Sequence, residues 1–107
     1  MAILFRCPYL QADVELTNER EAHIVQRHPD LQPDYLARIE STLAFPDSVH
    51  VERASTLVFA RWYDDLYAGK YFFVFVVRHI EGVVRFWVVT ARLSRLAARG
   101  EVVWRRS

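Results

Sequence analysis

Residues 71–77 read YFFVFVV, an unbroken apolar run of aromatic and β-branched side chains. Such residues suit a strand, and a strand apolar on both faces belongs inside a covered sheet. Lys70 precedes the run and Arg78 and His79 follow it, so the pattern predicts a central strand over 70–79. A short turn at Ile80-Glu81-Gly82 leads to a second long strand over 83–92. Upstream, Val49 and Val51 alternate with His50 and Glu52, and Leu57, Phe59, Arg61 and Tyr63 alternate with Val58, Ala60 and Trp62. This period of two predicts strands over 48–53 and 57–63.

The first half carries the helical period instead. Thr17 and Asn18 are both able to cap a helix, and Asn18 with Glu21 has the spacing of a capping box. The helix runs over 18–28, because Pro29 disfavours α geometry in the residue before it. Glu21, Ile24, Val25 and His28 fall on one arc of it, and Arg20, His23 and Arg27 on another. Pro33 suits a first helical position, and Leu36, Ile39 and Leu43 give a second amphipathic helix over 33–44. A short strand is admissible at 3–6, although Pro8 speaks against a place in a sheet interior. Residues 93–99 read as a short helix or turn, and 101–104 as a last edge strand.

Two helices before strands joined by short turns imply neighbours that pair antiparallel. The expected fold class is therefore α+β: two N-terminal helices followed by a four-stranded antiparallel sheet. The helices would cover one sheet face and leave the other free to bind a ligand or to dimerise.

Composition changes this picture little. The 107 residues fit one domain, and the apolar fraction of 52% is enough for a core. The formal net charge is only +1, but its distribution is uneven: Arg92, Arg95, Arg99, Arg105 and Arg106 stand against Glu101 in the last sixteen residues. That end reads as a solvated tail or as a contact for phosphates. The single cysteine, Cys7, excludes an internal disulfide and fits a reducing compartment. With no basic leader and no long apolar run, the expected location is cytoplasmic, with no membrane partner.

The candidate chemistry is sparse. There is no Gly-rich phosphate loop, no H-E-x-x-H and no cysteine cluster. His23 and His28 lie about 140° apart around a helix and should not share one metal. No metal site and no cofactor is expected. The remaining polar candidates are His23, Arg27 and His28 on the first helix, Arg61, Lys70 (the only lysine), and Thr90 with Arg92. Antiparallel pairing brings strand ends together, so Arg61, Lys70 and Thr90 are expected to open on one cleft with a histidine. Cations beside a group that titrates near neutrality suit a phosphodiester. Each residue also has a structural alternative: His28 as a cation at a helix end, Arg61 as an outward strand residue, His50 and His79 as surface groups, and the three tryptophans as core.

The ordered set HIVQRHPD at 23–30, FPD at 45–47, FAR at 59–61, GKY at 69–71, VVTA at 88–91 and the late Trp104 resembles small phage-associated nuclease domains of the BECR superfamily. That group is named for barnase, EndoU, colicin and RelE-like nucleases. The resemblance spans about 16–104. It implies the same helices-then-sheet fold and metal-independent RNA cleavage in toxin or phage-conflict settings, where an antitoxin or immunity protein would be a partner. The positions it matches are His23, Arg27, His28, Arg61, Lys70 and Thr90. In this reading one histidine, with His28 preferred, takes the proton of a ribose 2′-OH. Arg61, Lys70 and Arg27 steady the phosphoryl charge, and Thr90 and Arg92 hold the phosphate. The alternatives are a non-catalytic RNA-binding module and a protein-interaction domain of the same fold.

Overall fold

The computed structural model describes residues 2–31, 33–53, 56–66 and 68–107. Its elements are β1 (Ile3–Cys7), β2 (Ala12–Leu16), α1 (Asn18–Arg27), a 3-10 turn at Pro29–Leu31, α2 (Tyr35–Ala44), β3 (Ser48–Arg53), β4 (Thr56–Tyr63), β5 (Lys70–Glu81), β6 (Val83–Ser94) and β7 (Glu101–Arg105). One sheet holds all the strands in the order β1-β2-β6-β5-β4-β3-β7. The apolar run of β5 lies at its centre, with Phe72, Val74 and Val76 almost wholly buried. Both expected helices and all four expected strands are found, and β3 to β6 pair antiparallel in sequence order.

The expected fold class is nonetheless overturned. The sheet has seven strands and is mixed, because β2 runs parallel to β6. The N-terminal segment is a full hairpin, with Phe5 paired to Val14 and Cys7 to Ala12. Its buried positions alternate as a strand's should: Phe5 and Cys7, then Val14 and Leu16. Pro8 misleads because it stands just past β1. There the turn is closed by the Leu10 and Gln11 N–H groups on the carbonyls of Cys7 and Pro8, and Pro8 removes no ladder bond. The pairing of β2 with β6 joins positions some seventy residues apart, and no local pattern announces it. The basic end is not a tail either. Arg92 belongs to β6, Arg105 to β7, and Arg106 forms an ion pair with Asp47 at 2.6 Å. No helix forms over 93–99; β6 extends to Ser94 and an irregular stretch follows.

The two sheet faces differ. On one, Ile24 of α1 and Ile39 and Leu43 of α2 pack with Val49, Phe59, Phe72, Val74, Val88 and Ala91 in the main core. On the other, Val58, Ala60, Phe73 and Phe75 form a smaller apolar cluster without a helix over it. Thr17 caps α1 by accepting the Arg20 N–H at 3.2 Å. Glu21, expected in a capping box, instead accepts the Tyr35 hydroxyl at 2.6 Å and ties α1 to α2. Burial, and then this carboxylate, push the Tyr35 phenol up to about 12. No helix is long and apolar enough to cross a membrane among the described residues.

Candidate functional site

The pairing of β2 with β6 covers only Val14↔Phe86 and Glu15↔Trp87, after which the chain turns into α1. Beyond Trp87 it is α1 that packs beside β6. The link is specific: Arg20 Nε donates to the Val89 carbonyl at 3.0 Å. Residues three and four apart share one helix stripe, so Arg20 sets the stripe Arg20–His23–Arg27 beside the outer edge of β6. His23 is partly exposed there. Lost hydration lowers its pKa from the ordinary value, and the positive charges of Arg20, Arg27 and His28 add to this. Its imidazole is thus neutral at pH 7 and can accept a proton.

Thr90 and Arg92 lie on the same strand, paired with Phe75 and Phe73. Opposite partners in an antiparallel ladder share a face, so both belong to the face that carries no helix. Arg92 is exposed and stacks over Phe73 and Phe75, 5.7 and 5.3 Å from the ring centres. The Thr90 hydroxyl is buried and has no hydrogen-bond partner among the described residues. Arg92 is therefore the more accessible of the two.

Arg61 and Lys70 do not join this group. Arg61 pairs with Phe72 and Lys70 with Tyr63, on the face the helices cover. The expected single cleft for Arg61, Lys70 and Thr90 is therefore split across the sheet. The cause is parity: positions 70 and 72 of β5 look to one face and position 75 to the other. Arg61 has a structural task, donating to the carbonyl of Phe45, the C-cap of α2, at 2.6 Å and lying over the Tyr63 ring. His28 is the C-cap of α1, with its N–H on the Ile24 carbonyl at 2.8 Å, on the arc that Ile24 turns to the core.

Three surface assignments change as well. His50, read as a surface group, is only 5% exposed, and its Nε2 meets the Ser48 hydroxyl at 2.8 Å. Trp62 and Trp104, read as core, are 39% and 37% exposed. His79 is at the surface as expected, paired with Glu81 at 2.9 Å. The residue that sequence reasoning missed is Arg20. Its spacing to His23 and Arg27 was visible, but its carbonyl partner is created by an irregularity in β6. No group of three or more His, Cys, Asp or Glu side chains able to hold a metal ion occurs among the described residues.

No family model, no curated protein and no solved structure matches this chain.

Proposed function

We propose that this chain is a metal-independent endoribonuclease whose site lies where α1 meets β6. The observation that carries the reading is the Arg20–Val89 bond, which sets a histidine of lowered pKa, flanked by arginines, beside the edge of β6. The fit is to a phosphodiester with an internal nucleophile. His23 takes the proton of the ribose 2′-OH. The 2′ oxygen attacks the adjacent phosphorus, the bond to the 5′ oxygen breaks, and that oxygen takes a proton from solvent. Arg27, on the same helix stripe, stabilises the charge that grows on the phosphoryl oxygens. The products are a 2′,3′-cyclic phosphate and a 5′-hydroxyl. General-base help of this kind is worth roughly 10²–10⁴ in rate.

The test is incubation of the purified chain with mixed single-stranded RNA in EDTA. Cleavage is expected with wild type, reduced at least about 100-fold in His23→Ala and absent on 2′-deoxy substrate. Cleavage lost in EDTA, or retained in full by His23→Ala, overturns the mechanism. RNA that is bound but not cut leaves a non-catalytic RNA-binding module as the function.

A further inference from the structure

On the face without helices, β6 runs out at Ser94 and the chain arches back over the sheet before β7 begins. Beneath the arch is a pocket of about 440 Å³, within the range of small-molecule sites. Its floor is apolar: Val58, Phe73 and Phe75, with Ala98 above. Arg92 of β6, Glu52 of β3 and Arg99 of the arch line it. Neither arginine forms an ion pair with a carboxylate among the described residues, nor does Glu52 with a cation. The remaining polar side chain, Ser94, is already engaged, donating to the Leu96 carbonyl and accepting its N–H. The pocket thus offers two guanidinium groups outside any ion pair, one carboxylate acceptor, and a flat cationic plane where Arg92 lies over the buried Phe73 and Phe75 rings.

We propose that this pocket is a nucleotide subsite that takes one phosphate and one base of the RNA. The assignment rests on the ribonuclease reading for its ligand, an RNA strand. Guanidinium forks match phosphate oxygens. Arg99 takes the phosphate, and a flat base stacks on the exposed guanidinium plane of Arg92 above the phenyl rings. Glu52 selects among bases, because an ionised carboxylate only accepts hydrogen bonds. Adenine, cytosine and guanine each present an exocyclic amino group to it, whereas uracil presents only its N3–H, flanked by two carbonyl oxygens that a carboxylate repels. The subsite therefore favours amino-bearing bases over uracil.

The experiment is titration of the full chain with AMP, CMP, GMP and UMP, followed by amide shifts, in wild type, Arg99→Ala and Glu52→Gln. Circular dichroism checks the fold of each variant. The three amino-bearing nucleotides are expected to bind more tightly than UMP, with shifts at Phe73, Phe75 and the arch. Arg99→Ala should weaken all of them about tenfold, and Glu52→Gln should erase the preference over UMP. Equal binding of UMP in wild type, unchanged binding in folded Arg99→Ala, or shifts confined to other surfaces overturns the subsite. Two failures are distinguishable. Cleavage by wild type without mononucleotide binding removes the subsite and leaves the ribonuclease. Selective mononucleotide binding without RNA cleavage supports the subsite and removes the enzyme.

Discussion

Arg20 Nε donates to the carbonyl oxygen of Val89 at 3.0 Å, across 69 residues of sequence. Val89 is the extra residue of β6: Phe75 pairs with Thr90 and Val76 with Val88, so nothing on β5 stands opposite it. A bulged residue is left out of the ladder, and a backbone carbonyl withdrawn from water needs another partner. Arg20 supplies one. A local irregularity in the sheet thereby fixes where α1, and the histidine one turn along it, can sit.

Removing that arginine is expected to act on His23 in a definite direction. Arg20→Gln takes away a nearby positive charge and loosens the contact that dries the helix, and both effects raise the His23 pKa. The loss of the bond should cost about 1–2 kcal/mol of stability. Titration of the His23 ring protons by NMR, beside urea unfolding, measures the two. A His23 pKa that stays in place would show that the stripe is not set by Arg20.

The pH profile of cleavage follows from the same shift. The base works as the neutral imidazole, so the rate should fall as pH drops through the His23 pKa. Because that value lies below the ordinary one of about 6.5, the midpoint of the falling limb should lie below pH 6.5. In Arg20→Gln the falling limb should move to higher pH. A falling limb that ignores the substitution would point to another base.

Arg61 should behave as a structural residue. It completes the C-terminus of α2, where a cation is favoured by the orphan carbonyls. Arg61→Ala is expected to lower stability by about 1 kcal/mol and to leave RNA cleavage within twofold, read by a fluorogenic RNA assay at a temperature where both proteins are folded. A large loss of rate in folded Arg61→Ala would return this residue to the catalytic group.

Much of the fold was legible because the relevant signals are local. The apolar run at 71–77, the alternation at 57–63 and the spacing of Leu36, Ile39 and Leu43 each predict an element that is present. What stayed hidden depends on distant partners. Phe5, Cys7, Val14 and Leu16 alternate as strands, but only the place of β2 beside β6 makes the sheet seven-stranded and mixed. For the site, the α1 stripe was readable from helical spacing. The separation of Lys70 and Arg61 from Thr90 and Arg92 was not, since strand ends that are neighbours along a sheet can still look to opposite faces. His50 shows the same limit: its strand alternates as if the histidine faced water, yet Val58 and Val102 flank it and bury it.

That buried histidine yields the last prediction. His50 Nε2 meets the Ser48 hydroxyl, while Nδ1 is closed from solvent without a partner among the described residues. Burial pushes its pKa below the ordinary value and Arg105 adds to this, while the backbone of Gly100 partly offsets it without completing a hydrogen bond to Nδ1. The unfolded chain, with a histidine near 6.5, then binds the proton more readily than the folded one. Stability contributed by the neutral His50 is therefore full above about pH 6.5 and declines as pH falls through that value toward the lowered folded pKa. His23 titrates with the same sign but stands at the surface, so it should contribute less. The carboxylates Glu15 and Asp65 are held below their ordinary values by Arg85 and Arg38, so their protonation belongs to a more acid range. Urea unfolding of wild type from pH 8 to 5 should show the midpoint falling below 6.5. His50→Gln can still reach the Ser48 hydroxyl but cannot become charged, and it should flatten most of that fall. Ser48→Ala should cost about 1–3 kcal/mol at pH 8, because it strands Nε2 in a buried position. A midpoint that falls just as steeply in folded His50→Gln would assign the pH dependence to other groups.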